Sequence, residues 1–165
     1  MGNYLQLFEQ AEAYATVARR RLRIDRRLGF GQDGVVWLSN QNTAIKAYER
    51  LENYGREVSC YQRLAEFGVR QIDGFRIPML IGESEALRAI EMTVVTPPFL
   101  LDFGKAYLNF PPDFSREIIG DWERQRSVLF DPDQWPEVKS LLVQLATYGI
   151  YYYDAKPGNI TFGPR

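Results

Sequence analysis

The 165-residue sequence predicts an α+β fold, in which strands and helices occupy separate stretches of the chain. Apolar residues alternate with the period of a strand over 22–48 and again over 77–95. A helical pattern precedes the first stretch and another separates the two. Pro97 and Pro98 then end the strand pattern, and the sequence beyond them turns helical. We therefore expect a five-stranded antiparallel sheet with one packed helix, followed by a smaller helical region.

The elements before the two prolines follow from their spacing. Leu7, Ala11, Tyr14 and Ala18 predict an amphipathic helix over about 4–20. From Leu22 the stretches RLRIDRRLGFG, GVVWLS and TAIKAY predict three strands, with SNQN as the turn between the second and third. Helical spacing returns over 52–67 and ends before a glycine. Two further strands, IPMLIG and LRAIEMTVV, flank the turn ESEA.

Beyond the prolines the pattern is less regular. Asp102 is suited to capping a short helix that follows it. Prolines at 111, 112, 132 and 136 indicate an irregular middle, and a last helix is predicted up to Gly149. We interpret 1–165 as one domain, with an N-terminal helix at 1–21, a sheet-containing lobe at 22–96 and a helical lobe at 97–165.

Composition excludes several classes of protein. Twenty basic and twenty-one acidic residues leave a formal charge of -1, which gives no reason to expect nucleic acid or a membrane surface as partner. The absence of histidine excludes His-dependent metal sites and catalytic triads. Cys60, the single cysteine, falls in a helical pattern that favours a buried thiol. No apolar run approaches the roughly 20 residues of a membrane helix, so a cytoplasmic location is the expectation.

Three glycines form the pattern G-x-G-x-x-G in LGFGQDGVV: Gly29, Gly31 and Gly34. In a dinucleotide-binding fold this pattern would open a helix, but here the strand-like GVVWLS follows it. A glycine-rich hairpin can bring backbone N–H groups close to phosphate oxygens. A simple tight turn is the alternative interpretation.

Two charged residues follow in an order that suggests a pair. Lys46 lies in the predicted strand TAIKAY, and its side chain is expected to point beneath the glycine hairpin. Glu57 lies in the helical pattern of YGREVSCYQRL. A glutamate that reaches the lysine from a packed helix would hold its ammonium in place for contact with phosphate.

The stretch DAKPGNI adds Asp154, Lys156 and Asn159 in a loop between a helical pattern and a short apolar run. At this point the chain resembles the protein-kinase-like superfamily. LGFGQDGVV is similar to its glycine loop, TAIK to its V-A-I-K strand and DAKPGNI to its catalytic loop. These elements occur in the family's order and at about its spacing over 22–163, which is more specific than any one motif.

The resemblance implies a two-lobe fold, ATP and Mg²⁺ as cofactors, and a role for each matched residue. Gly29, Gly31 and Gly34 would cover the nucleotide, and Lys46 held by Glu57 would contact its phosphates. Asp154 would act as catalytic base, Lys156 would steady the transferred phosphate, and Asn159 would bind magnesium. Lys156 is similar to the serine/threonine kinase branch, but the Pro-Gly-Asn-Ile run fits small-molecule phosphotransferases equally well, so the acceptor stays open.

The sequence departs from the family's pattern around the catalytic loop. Tyr152 and Tyr153 stand where the family has histidine and arginine. No acid follows Asn159, although the family's Asp-Phe-Gly motif, whose aspartate binds magnesium, belongs there. We therefore expect a strongly reduced helical lobe that ends just after the catalytic loop. Asp102, Phe103 and Gly104 spell the motif well upstream, and we interpret this as chance; the alternative is a rearranged fold in which Asp102 reaches the metal.

Three hypotheses remain. The chain is a phosphotransferase, completed by a protein partner or by an unsuspected carboxylate; or a nucleotide-binding pseudokinase that acts as a scaffold or regulator; or an interaction module that has kept the fold. The third has no need of the complete set of matched glycines, lysines, acids and asparagine. A protein partner that covers or completes the reduced helical lobe is compatible with the first two.

Overall fold

A computed structural model describes residues 2–19 and 21–164 of the chain, so residues 1 and 20 of the predicted N-terminal helix lie outside it. The helices are α1 (Gly2–Ala18), α2 (Leu51–Glu66), α3 (Arg116–Ser127) and α4 (Gln134–Thr147). None of the described helices combines the length and the apolar character that crossing a membrane requires.

The strands, in chain order, are β1 (Ile24–Phe30), β2 (Gly34–Ser39), β3 (Thr43–Tyr48), β4 (Gln71–Ile72), β5 (Phe75–Arg76), β6 (Leu80–Ser84), β7 (Ala89–Thr93), β8 (Phe99–Leu100), β9 (Tyr107–Leu108), β10 (Ile150–Tyr151) and β11 (Ile160–Thr161). Five of them form the main sheet in the order β1-β2-β3-β7-β6, and every neighbouring pair is antiparallel. The predicted α+β class and the five-stranded antiparallel sheet are confirmed.

The main sheet is covered by a helix on each face. Side chains alternate along β3, so Ile45 and Ala47 lie in the same core cluster as the apolar residues of α1. Ala44 and Tyr48 lie in the larger core cluster, together with apolar residues of α2. Lys46 lies between these two residues on the same face of β3, so its side chain points toward α2. The same cluster continues into α4, beyond the two prolines, so one core joins the parts of the chain on either side of them. The division into two lobes at the prolines stays a prediction.

Two small sheets join distant parts of the chain. Strands β11, β8, β5 and β4 pair in that order, with Ile160 opposite Leu100. Strand β9 pairs with β10, just before the predicted catalytic loop. These short strands fix the loop that contains 152–159 against the segment that follows β8.

The helices beyond the prolines differ from the prediction. No helix begins directly after Asp102, since the described residues 101–106 are irregular, and Asp102 itself has a positive φ of 67°. Instead α3 occupies the stretch predicted to be irregular, and it begins where the Ser115 side chain accepts a hydrogen bond from the Ile118 backbone N–H. Pro136 lies inside α4, but in its first turn, where a missing N–H removes no helical hydrogen bond.

Glu91 on β7 is a buried acid that ties α1 to the sheet. Its carboxylate accepts hydrogen bonds from both terminal nitrogens of Arg19, at 2.7 and 2.6 Å. Thr43 Oγ1 donates a third bond at 2.5 Å. Burial alone would raise the pKa of Glu91, but these donors, led by Arg19, hold that pKa below its usual value. The carboxylate is therefore ionised in the folded protein at neutral pH.

The Glu91→Gln variant is expected to lower the free energy of unfolding by about 2–4 kcal/mol at neutral pH, because charge-assisted bonds to Arg19 and Thr43 are lost. The folded pKa lies below the unfolded value near 4.5, so this stabilisation is present above that value and is lost as the pH falls through the folded pKa. Urea denaturation at about pH 7 and about pH 3 measures the difference in the free energy of unfolding between wild type and variant. Exposed Glu85→Gln is the control, and a Glu91→Gln difference that does not narrow at low pH contradicts the prediction.

Candidate functional site

The glycine motif lies in the hairpin between β1 and β2, as predicted. The Gly31 N–H donates to the Gly34 carbonyl at 3.0 Å and closes the turn. A Cβ on Gly34 would stand 2.1 Å from the Ala47 carbonyl oxygen, so the close approach of β2 to β3 requires glycine there. A Cβ on Gly29 or Gly31 would meet no atom within 4 Å. These two glycines therefore border open space.

Lys46 is the centre of a buried charge cluster. Its Nζ donates to Glu57 Oε2 at 2.7 Å, which is the pair expected from the sequence. The same Nζ also donates to Asp102 Oδ1 at 3.1 Å. Lys46 and Glu57 are almost wholly buried, whereas the Asp102 side chain is 23% exposed. One cation therefore holds two carboxylates, and the more exposed one faces the cavity described below.

The cluster sets the charge of its members. Burial by itself disfavours the ammonium, yet Glu57 and Asp102 raise the pKa of Lys46 above its usual value. Burial raises the pKa of the Glu57 carboxyl, and the adjacent ammonium counters that effect. Burial would also raise the pKa of Asp102, but Lys46 and the Gly104 N–H lower it to below its usual range. Asp102 is therefore an anion at neutral pH.

The interpretation of Asp102 as a helix cap is wrong. The residue lies just after β8, and the pairing of β8 with β11 brings it beside the predicted catalytic loop. The Leu101 N–H donates to the Asn159 carbonyl at 2.8 Å, and the Tyr152 hydroxyl donates to the Leu101 carbonyl at 2.8 Å. The apolar run before Asp102, in PPFLLDFG, is a sequence signal that could have indicated a short strand just before this acid.

The three residues of the DAKPGN loop lie together. Asn159 Nδ2 donates to the backbone carbonyl and to Oδ2 of Asp154, each at 3.0 Å. Lys156 Nζ lies 3.3 Å from the same Oδ2. Tyr152, directly before the loop, is buried and packs edge-on against Phe103 with ring centroids 5.6 Å apart. Its ring therefore packs the start of the loop against the segment after β8.

Two neighbouring cavities meet at this loop. The first, here the deep cavity, has a volume of about 500 Å³ and includes among its walls Gly29, Gly31, Gly34, Lys46, Glu57, Asp102, Lys156 and Asn159. The second, here the aromatic cavity, has a volume of about 790 Å³ and includes Asp154, Lys156 and a group of aromatic rings. Gly31 and Lys156 line both. Every sequence-predicted site residue therefore borders one cavity or the other, with Asp154 on the aromatic side.

The deep cavity carries oxygen ligands of the kind that Mg²⁺ prefers. Asp102 and Asn159 both line it. The hydrogen bond from the Leu101 N–H to the Asn159 carbonyl holds the backbone next to Asp102 against Asn159. Within 2–19 and 21–164, no group of three Asp, Glu, Cys or His side chains could hold a metal ion unaided. Magnesium that is bound through one carboxylate and one amide usually takes its other ligands from water and substrate phosphates. The residues present fit that mode of binding.

No protein-family model matches the chain, and no curated protein matches it. Among solved structures it is similar to aminoglycoside phosphotransferase APH(2'')-Ib with ADP bound, at 20% identity and a TM-score of 0.38 over 55% of this chain and 28% of that one. It is also similar to APH(2'')-IIa in a ternary complex with streptomycin and ATP, at 21% identity and a TM-score of 0.35 over 58% and 28%. The chain thus spans less than a third of either structure.

The two glycine positions give a matched pair of variants. Gly34→Ala is expected to lower the free energy of unfolding by about 1–3 kcal/mol, because the new Cβ overlaps the Ala47 carbonyl. Gly31→Ala, with no atom near its new Cβ, is expected to stay within about 0.5 kcal/mol of wild type. Urea denaturation of both variants measures the difference, and equal losses would contradict the assigned backbone contact.

Proposed function

We propose that this chain is a kinase-like phosphotransferase that binds ATP with Mg²⁺ in the deep cavity and transfers the γ-phosphoryl group to a hydroxyl placed beside Asp154. One observation carries the proposal: Asp102 contacts Lys46 and shares a cavity with Asn159 and the glycine hairpin. Along the chain this acid precedes the loop, so the family's order gave no reason to expect it there. Its position supports a carboxylate from this chain among the ligands of phosphate-bound magnesium.

The walls of the deep cavity support nucleotide binding. Its apolar part includes Val36, Ala44, Met92 and Leu101, which suits the flat base of a nucleotide. Its polar part begins at Gly31, where no Cβ would separate the backbone from a phosphate. Lys46 supplies a cation whose position is fixed by Glu57.

Asp102 and Asn159 are the side chains that would hold magnesium. When bound, the ion neutralises charge on the phosphates and so favours their transfer. Asp102 is suited to this role because it is ionised and partly exposed to the cavity. Asn159 donates through Nδ2 to Asp154, so one residue links the metal side of the site to the catalytic carboxylate.

The chemistry at the acceptor rests on Asp154 and Lys156. Asp154 accepts the proton of the acceptor hydroxyl while that oxygen forms a bond to the γ-phosphorus. The bond from the γ-phosphorus to the β–γ bridging oxygen breaks, and ADP leaves. Lys156 borders both cavities and can accompany the charge of the moving phosphoryl group. This lysine is similar to that of the serine/threonine kinase branch. The similarity bears on how the phosphoryl group is transferred and does not identify the acceptor molecule.

A catalytic role is better supported than a scaffold role. The pseudokinase hypothesis depended on a missing metal-binding acid, and Asp102 offers one. A protein partner is likewise not needed to supply the metal-binding acid. Asp154, Lys156 and Asn159 contact one another at the junction of the two cavities, which is where transfer requires them.

ATP is expected to raise the melting temperature of the chain, and Mg²⁺ to increase the shift, since bound ligand stabilises the folded state by mass action. Asp102→Asn should remove the Mg²⁺-dependent part, while Lys46→Ala should weaken the shift in both conditions. Asp113→Asn, at an exposed acid outside both cavities, is the matched control. Differential scanning fluorimetry measures all four proteins. Absence of any ATP shift in the wild type refutes nucleotide binding, and a full Mg²⁺-dependent shift in Asp102→Asn refutes the role of that acid.

Asp154→Asn is expected to keep the ATP-dependent thermal shift and to lower phosphoryl transfer by roughly 10²- to 10⁴-fold, as removal of a general base does. Formation of ADP from radiolabelled ATP, with water as acceptor, gives a rate before the natural acceptor is known. Asp121→Asn, at the other acid of the aromatic cavity, provides the comparison. ADP formation that persists in Asp154→Asn at the wild-type rate would show that another group takes the proton.

A further inference from the structure

The aromatic cavity lies beside Asp154, and most of its lining consists of residues to which no motif of the sequence assigns a role. Its walls come from β9, from α3 and from the residues that precede the catalytic loop. A volume of about 790 Å³ is within the range of pockets that hold small molecules. Because Gly31 and Lys156 also border the deep cavity, a molecule bound here would lie next to the phosphates of a bound nucleotide.

Tyr153 and the three rings that pack around it form a continuous aromatic wall. The Tyr153 ring centroid lies 5.4 Å from that of Trp122, 5.6 Å from that of Phe114 and 6.1 Å from that of Tyr107, each at a steep angle. Trp122 Nε1 donates to the Tyr153 carbonyl at 2.9 Å, so its N–H is already used. The wall therefore presents mainly ring faces and edges, which suit the face of another ring.

The charges of the cavity are already paired. Of its two acids, Asp121 forms an ion pair with Arg124 on the helix surface, and Asp154 contacts Lys156 and Asn159. Lys105 and Arg126 add positive charge to the lining. Among the described residues of the lining, an acceptor that carries several ammonium groups would meet more cations than acids, and both acids are already paired. The lining therefore disfavours a polycation.

The cations are likewise engaged. Lys105 Nζ donates to Gln32 at 3.0 Å and lies 3.6 Å from Asp33 in the glycine hairpin. Arg126 donates to the Ala155 carbonyl at 3.4 Å. An anionic acceptor would have to compete with these contacts and would also repel the phosphates beside it. A neutral acceptor meets neither cost.

We infer that the acceptor is a small neutral alcohol whose ring stacks in the aromatic cavity with a hydroxyl directed to Asp154. This inference rests on the proposed function and names its substrate class. The alcohol oxygen forms the bond to the γ-phosphorus of ATP, its proton passes to Asp154, and the products are a phosphate monoester and ADP. Specificity comes from ring contact and from the pairing of both acids that the structure describes in the lining, which leaves neither free for a cationic group.

The test measures binding without nucleotide, through the tryptophan fluorescence of the full chain. The neutral probes are phenyl β-glucoside, glucose and cyclohexanemethanol; the cationic probe is kanamycin, and the peptide probe is an unstructured serine-containing peptide. At least one neutral probe should bind saturably and more tightly than the other two classes. Tighter binding of kanamycin or of the peptide, or no binding of any neutral probe, overturns the inference.

Two cavity variants and one control assign the site. Phe114→Ala and Ile118→Ala should each weaken binding of the neutral probe, the former by roughly tenfold, because stacking area is lost. Phe110→Ala, at a ring that is 79% exposed and outside the lining, should bind as the wild type does. Unchanged binding in both cavity variants overturns the inference. Since no ATP is present, failure here is distinct from failure of the nucleotide-dependent thermal shift.

Discussion

The site depends on one buried ammonium that is shared by two carboxylates. Lys46 comes from β3, Glu57 from α2 and Asp102 from the segment after β8, so the cluster fixes the sheet, the helix and the second half of the chain relative to one another. A buried ion whose partner is removed is destabilising by about 3–5 kcal/mol, because its charge is left without compensation. The three residues therefore keep their places together, and the same contacts hold Lys46 at the wall of the deep cavity.

A second constraint is the pairing of β8 with β11. These strands have only two residues each, but their register aligns Leu100 with Ile160 and carries Leu101 to the Asn159 carbonyl. The buried Tyr152 hydroxyl adds a bond to the same segment. Short antiparallel strands contribute little alone, and here the packing of Phe103 against Tyr61 and Tyr152 supports them. The strand pairing therefore places Asp102 beside the predicted catalytic loop, although the two are far apart along the chain.

The arrangement of the two cavities gives the proposed chemistry a geometric basis. The deep cavity gathers the glycines, Lys46, Asp102 and Asn159, whereas Asp154 faces the aromatic cavity. Lys156 and Gly31 form the shared border. The groups proposed to bind phosphate and metal thus line one cavity, and the proposed proton acceptor lines the other, with Asn159 bonded to Asp154 between them. A phosphoryl group that moved between the cavities would pass Lys156, which borders both.

The sequence alone predicted the local elements and most residues of the candidate site. Period-two and helical spacing gave the main sheet, α1, α2 and α4, and the glycine hairpin with Lys46 and Glu57 followed from their order. The tertiary structure alone decided the position of Asp102, the helix α3 and the aromatic cavity. The position of Asp102 depends on two-residue strands that pair between distant parts of the chain. The helix α3 lies between prolines and has no buried residue, so burial against the core does not impose a helical pattern on its sequence. Local periodicity records which face of an element is buried, but it carries no information on which distant segments pair.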